Sequence, residues 1–155
     1  DNSDLVIVGI PTNPTGRLHP ATDLLALRRP GRILVIDEAF MDATDESQSL
    51  IGCDMDGLLV LRSLTKTYGL AGIRAGYVIG DRRLIARLAD HQTPWSVSTP
   101  AIAAMIACTC EEARRFQTKL CDDIPAARAD LVERLTVLGL SVVTSEAPFL
   151  SLIHI

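Results

Sequence analysis

The sequence has 155 residues, of which 48% are apolar, 22% charged and 4% aromatic, and its formal net charge is −4. This composition is typical of a globular domain with an aliphatic core and excludes a disordered chain. No basic stripe argues for a nucleic-acid partner, and the apolar runs are too short to span a bilayer.

The first part of the chain alternates apolar runs with loops and short helical patterns. Continuous apolar runs of strand length occur at 5–9, 32–36, 58–61 and 73–79. Such unbroken runs indicate strands buried on both faces, as in α/β proteins. Helices are predicted over 20–29, with a proline at an early position, and from the N-cap Asp81 to Asp90.

The second part of the chain is predicted to be mostly helical. Thr99-Pro100 carries the N-cap and N1 signals of a long helix, which Pro125 should break or kink. The pattern predicts that the helix resumes over 126–138 and that Gly139 ends it.

Two short segments, 140–144 and 149–155, are predicted to be strands of a different unit. The chain lacks an initiator Met, begins just before an apolar strand and stops inside an apolar run. Both ends are therefore expected to be cuts through a larger fold.

Three polar residues lie at or just beyond the carboxyl ends of predicted strands: Asn13, Asp37 and Lys66. Ligands bind at this edge in open α/β sheets, so the three side chains are expected to share one crevice. Lys66 is one of two lysines beside thirteen arginines. A lysine amine can lose its proton in a desolvated site and attack a carbonyl, which arginine cannot do.

Three motifs follow in a fixed order along the chain. They are Asn13-Pro14-Thr15-Gly16, Asp37-Glu38-Ala39-Phe40, and Ser63-Leu64-Thr65-Lys66 with Arg74. Together they resemble the signature of fold-type I pyridoxal-phosphate enzymes, the class I/II aminotransferase superfamily. The resemblance is close over 4–95 and looser in the helical tail.

The resemblance implies the fold. It predicts the C-terminal part of a three-layer α/β large domain with a mostly parallel sheet over 1–114. The beginning of a small α+β domain is expected over 115–155. Active sites of this superfamily are built at a homodimer interface, so the complete protein is expected to be a homodimer.

The resemblance also implies a cofactor, pyridoxal 5'-phosphate, and two catalytic residues. Lys66 would hold the cofactor as a Schiff base and then move protons as the free amine. Asp37 would pair with the ring nitrogen and keep it protonated, which makes the ring an electron sink.

Further cofactor contacts follow from the same resemblance. Ser63 and Arg74 would bind the phosphate, with Thr65 assisting. Asn13 would donate a hydrogen bond to the phenolate oxygen of the ring. Phe40 stands where aminotransferases usually carry a tyrosine that bonds the same oxygen, so Asn13 is expected to be the main donor.

The nearest resemblance is to histidinol-phosphate aminotransferases, and within that group to L-threonine-O-3-phosphate decarboxylases of cobalamin biosynthesis. Phe40 and the run Pro94-Trp95-Ser96-Val97-Ser98 favour the decarboxylase branch. A phosphorylated amino acid is therefore the expected substrate. Decarboxylation is the favoured reaction, and transamination by a histidinol-phosphate aminotransferase is the alternative. The isolated chain is expected to have little or no activity.

Two readings without turnover remain. One is a fragment that binds cofactor only. The other is an unrelated nucleotide-binding module in which Asn13 to Gly16 would cradle a phosphate, although no Gly-x-Gly-x-x-Gly pattern occurs.

No metal is expected, since neither the histidines nor the cysteines have ligand spacing. The four cysteines are interpreted as reduced, buried thiols of a cytoplasmic protein.

Overall fold

The computed structural model describes residues 2–153. Its main sheet has the strand order β1-β2-β3-β4. These strands are β1 (Leu5–Gly9), β2 (Ile33–Asp37), β3 (Leu58–Ser63) and β4 (Gly76–Gly80). The first three are parallel, and β4 runs antiparallel to β3. The α/β class with a mostly parallel sheet is confirmed.

Helices connect and follow these strands. They are α1 (Ala21–Leu25), α2 (Leu64–Thr67), α3 (Arg82–Asp90), α4 (Thr99–Ala107) and α5 (Glu111–Val137). Single 3-10 turns lie at Met41–Ala43 and Ala71–Ile73. A second, antiparallel sheet joins β5 (Ser141–Val142) and β6 (Leu152–Ile153).

The main core lies on one face of the sheet. Its fully buried strand residues occupy alternate positions of β2 and β3 and pair side by side: Leu34 with Leu58, and Ile36 with Val60. Because side chains alternate along a strand, the intervening residues of β2 and β3 face the other side.

The expectation that all strands are buried on both faces is wrong for β1 and β4. Val6 and Val8 of β1 pack against the core, whereas Leu5 and Ile7 are 53% and 64% exposed. The side chains on the other face of β1 are therefore not packed into a core as Val6 and Val8 are. The residues of β4 are largely exposed as well.

Two helix predictions are corrected. The first helix ends at Leu25, well before residue 29, and Arg28 beyond it donates to the Asp54 carboxylate. The long C-terminal stretch is two helices, because Cys110 begins a new one by accepting the Ala113 N–H with its sulfur. Pro125 does not break this second helix, which continues through it.

Other local predictions are confirmed. Asp81 caps α3 by accepting the backbone N–H groups of Arg83 and Leu84. Gly139, with φ of 76°, lies just beyond the end of α5, where a left-handed residue can terminate a helix.

The last two predicted strands exist as β5 and β6, but each is two residues long, so residues 140, 143–144 and 149–151 were wrongly predicted as strand. Residues 154–155 lie outside the described residues. The helix α5 runs across residue 115. The division of the chain at that position stays a prediction.

Candidate functional site

The parallel order of β1, β2 and β3 brings their carboxyl ends to one edge of the sheet. Asp37 is the last residue of β2, and it pairs with Gly9 of β1 and Leu61 of β3. Ser63, two residues beyond Leu61, ends β3. Since residues two apart share a face, Asp37 and Ser63 lie on the same face, opposite the main core.

Lys66 lies in the short helix that begins directly after β3. Ser63 caps this helix, and its Oγ accepts the Thr65 backbone N–H at 3.3 Å. The hydroxyl oxygens of Ser63 and Thr65 are 2.8 Å apart. Lys66 itself is exposed, and its Nζ lies 5.3 Å from the centre of the Phe40 ring.

The loop after β2 brings Phe40 to that amine. Asp37 Oδ1 accepts the Ala39 backbone N–H at 3.0 Å, which fixes the first turn of the loop. Phe40 follows at the start of the 3-10 turn. Its ring meets that of Phe149 edge to face, with 4.9 Å between the centroids.

Asn13 lies in the exposed turn after β1, which is closed by the Gly16 N–H donating to the Thr12 carbonyl. Gly16 has φ of 70°, and a Cβ there would lie 1.8 Å from Ser145 Oγ. Glycine is required because the C-terminal segment packs directly on this turn. The space beside Gly16 is therefore filled by protein, which counts against a phosphate cradle at this turn.

Arg74 belongs to the predicted strand 73–79, but the structure places it before that strand begins. It lies outside β4, in a left-handed conformation with φ of 59°, and is exposed. Its Nη1 donates to the Ala71 carbonyl of its own turn at 3.0 Å, so this donor is used within the turn. A non-glycine residue in this conformation costs about 1–2 kcal/mol.

A buried ionic cluster that was not predicted from the sequence lies on the opposite face of the sheet. Arg62 Nε donates to Glu38 at 2.9 Å, and the same guanidinium pairs with Asp42 and Glu46. The side chains of Arg62 and Glu38 are 3% and 0% exposed. A signal was present, because Glu38 and Arg62 continue the alternate positions that carry the core in β2 and β3.

The charges of this cluster act on one another. Burial opposes the charged form of Arg62, but the bond and charge of Glu46, with Glu38 and Asp42, outweigh it and raise the Arg62 pKa. Burial raises the pKa of Asp42, with Arg62 acting against the rise. Three carboxylates thus share one guanidinium.

Two cavities lie away from the edge that carries Asp37 and Lys66. One of about 760 Å³ separates the 43–48 loop from α5, and one of about 500 Å³ lies beside Arg62, Tyr68 and Tyr77. Neither is lined by Lys66 or Asp37.

Residues 2–153 contain neither a metal-type cluster nor a helix that could span a membrane. Within them, no group of three or more His, Cys, Asp or Glu residues has the arrangement of a metal site. No helix in that range has both the length and the apolar character needed to cross a membrane. The cysteines are free, but Cys110 is exposed and the other three are only partly buried, which corrects the expectation of buried thiols.

The chain matches a known protein family along its whole length. The family described as aminotransferase class I and II matches residues 1–155. A histidinol-phosphate aminotransferase of Mycobacterium bovis is 46% identical over 150 residues, which are 96% of this chain and 41% of the relative. A threonine-phosphate decarboxylase of Pseudomonas aeruginosa is 47% identical over 105 residues, 64% of this chain and 31% of the relative.

A solved structure shows the same fold. The histidinol-phosphate aminotransferase from Clostridium acetobutylicum superposes with a TM-score of 0.80 at 29% identity, covering 93% of this chain and 45% of that chain. The chain thus spans less than half the length of these relatives.

Proposed function

The chain belongs to the family of class I and II aminotransferases, and we propose that it forms the lysine-bearing side of a pyridoxal 5'-phosphate site. Enzymes of this family depend on that cofactor. The observation that carries the proposal is the common face of Asp37 and Ser63 at the sheet edge, from which the Lys66 helix starts.

The residues present fit the cofactor by their chemistry. The Asp37 carboxylate suits a protonated ring nitrogen, and the paired hydroxyls of Ser63 and Thr65 suit a phosphate. The primary amine of Lys66 can react with an aldehyde, although among the described residues it is exposed and not desolvated. When bound, the cofactor supplies an aldehyde for amines and a ring that withdraws electrons from the substrate carbon.

The protein's residues bind, orient and transfer protons. Lys66 would hold the cofactor through its amine, and the same amine would be the group that moves a proton at the substrate carbon. Asp37 keeps its position because Ala39 donates to its Oδ1. Asn13 and Arg74 are proposed as further cofactor contacts, and for Arg74 this requires its guanidinium to leave the Ala71 carbonyl.

Two reactions on phosphorylated substrates are proposed. Decarboxylation of threonine phosphate is favoured by Phe40 and the 94–98 run, and supported by the 47% identity to a threonine-phosphate decarboxylase. Transamination of histidinol phosphate is favoured by a similar identity that extends over 96% of the chain. The complete protein is proposed to be a cytoplasmic homodimer.

Trapping on lysine tests the cofactor site. The chain is incubated with pyridoxal 5'-phosphate, reduced with borohydride and digested, and the modified peptide is located by mass spectrometry. We expect modification of Lys66 and none of Lys119, which is the other lysine of the sequence. The Lys66→Met variant should lose the modification. Equal modification of both lysines would show random surface chemistry and refute the site.

The reaction is tested on the complete protein with O-phosphothreonine and histidinol phosphate as substrates. Release of carbon dioxide without an amino acceptor supports decarboxylation. Formation of glutamate that requires 2-oxoglutarate supports amino transfer. A complete protein that traps the cofactor on Lys66 but performs neither reaction would support binding without turnover.

A further inference from the structure

Phe149 of the C-terminal segment contacts Phe40, whose ring lies beside Lys66. Its ring meets the Phe40 ring at 4.9 Å between centroids, with an angle of 71° between the ring planes. The Phe40 ring in turn lies 5.3 Å from Lys66 Nζ. Two aromatic rings thus connect the C-terminal segment with the amine.

The segment that carries Phe149 is held from several sides. The Glu146 N–H donates to the Gly16 carbonyl at 2.9 Å, in the turn that contains Asn13. Arg128 of α5 donates to the Ala147 carbonyl at 2.9 Å. Within the segment, Ser145 Oγ donates to the Phe149 carbonyl at 2.7 Å. These bonds hold the backbone around Phe149, so its ring is held in position against the Phe40 ring.

The physics of the two contacts makes them interdependent. An ammonium is attracted to the face of an aromatic ring, and this attraction depends on how the ring is turned. An edge-to-face contact between two rings is also directional, because the edge is positive and the face negative. Phe40 is only half-buried, so the contact with Phe149 restricts the orientations in which it can meet the amine.

We propose that Phe149 is a positioning residue for Lys66, acting through the ring of Phe40. The Phe149 ring fixes the Phe40 ring, and the Phe40 ring holds the ammonium of Lys66 at the sheet edge. The importance of this for catalysis rests on the proposed function of Lys66, but the contact itself can be tested without cofactor.

Competitive labelling of the two lysines tests the proposal. The cofactor-free chain is acetylated with a trace of acetic anhydride, and the ratio of label on Lys66 to label on Lys119 is measured by mass spectrometry. Lys119 serves as internal reference, since it lies exposed on α5 and pairs with Asp123. The Phe40→Leu variant should raise the ratio about two- to five-fold, as expected for loss of a cation–π contact at an exposed site.

Variants of Phe149 decide whether this residue acts through Phe40. Phe149→Ala should raise the ratio in the wild-type background, and it should add nothing in a Phe40→Leu background. Phe149→Leu keeps most of the apolar volume without the ring and should have the same effect, so it serves if the alanine variant does not fold. Leu150→Ala is the matched control and should leave the ratio unchanged.

Two results would overturn the proposal. One is an unchanged ratio in a folded Phe149→Leu variant, which would make Phe149 a packing residue only. The other is an additive effect of the two substitutions, which would make it independent of Phe40. Both differ from a failure of cofactor trapping at Lys66, since no cofactor is present during acetylation.

Discussion

The ends of β2 and β3 carry different chemistry on their two faces. On the core face, Glu38 and Arg62 are buried and bonded to each other. On the opposite face, Asp37 and Ser63 are partly exposed and bond mainly to their own turns. Neighbours in sequence therefore belong to different environments. A charge at a strand end stabilises the fold on one face and remains available to a ligand on the other.

The two environments respond differently to substitution. Removing one partner of a buried ion pair leaves the other charge without compensation in a medium that solvates it poorly. Water solvates the groups of the exposed face, so a substitution there changes stability little. Substitutions on the core face should therefore lower the free energy of unfolding more than substitutions on the opposite face. Substitutions on the opposite face should impair cofactor attachment more.

The largest contrast is expected between two cations four residues apart. Arg62→Met leaves three carboxylates facing an apolar side chain and should lower the free energy of unfolding by about 3–5 kcal/mol. Lys66→Met is the matched substitution on the exposed face and should change it by no more than about 1 kcal/mol, the most that its contact with Phe40 contributes at an exposed site. Urea denaturation followed by circular dichroism measures both. Similar losses in the two variants would contradict the division into a structural and a chemical face.

A smaller contrast is expected between two adjacent acids. Glu38 is buried and accepts three hydrogen bonds, from Ser49, Leu50 and Arg62. Glu38→Gln replaces a charged acceptor and should cost about 1.5–3 kcal/mol of unfolding free energy. Asp37→Asn keeps an oxygen for its backbone partner and should cost about 0.5 kcal/mol or less.

The affinity for the cofactor should rank substitutions of Asp37 and Glu38 in the opposite order. Asp37→Asn should weaken the affinity for pyridoxal 5'-phosphate, since the ring nitrogen loses its anionic partner. Glu38→Gln, where it folds, should leave that affinity close to wild type. If Glu38→Gln weakened binding more than Asp37→Asn, the proposed role of Asp37 would be wrong.

The sequence predicted the strand ends well because their signals are local. Unbroken apolar runs place β1, β2 and β3, and Asn13, Asp37 and Lys66 lie at or just beyond their carboxyl ends. The boundary of β4 was missed because Ile73 belongs by hydropathy to the apolar run, whereas the backbone forms a 3-10 turn there. Pro125 removes a single hydrogen bond from α5, and the rest of this long helix maintains it.

Contacts between distant segments could not be predicted in this way. The packing of Phe149 on Phe40 and of Ser145 on Gly16 depends on how α5 returns the chain to the sheet edge. No local pattern encodes that path. The burial of Glu38 and Arg62 was accessible in principle, because both continue the core positions of predicted strands, but their pairing depends on the strand order that only the structure shows.

The smallest effect, and the one that tests the charge balance of the core face, is a pH dependence. Burial raises the pKa of Asp42, so the folded chain binds this proton more tightly than the unfolded chain. Its contribution to stability is then present below the ordinary pKa of about 3.8 and is lost as pH rises through the folded pKa. Asp42→Asn removes this loss, so the variant should gain stability relative to wild type as pH rises.

The pH dependence of stability expected from Asp81 has the opposite sign. Backbone N–H groups, that of Gly57 first and then that of Arg83, lower the pKa of this carboxyl group. Its contribution is present above about 3.8 and is lost as pH falls through the folded pKa. Asp81→Asn should therefore lose stability relative to wild type as pH rises from about 3 to about 7, whereas Asp42→Asn gains it. Suppose instead that the stabilities of Asp81→Asn and Asp42→Asn, each relative to wild type, changed in the same direction with pH. Arg62 would then compensate the charge of Asp42 fully, and the excess negative charge of the cluster would not destabilise the fold.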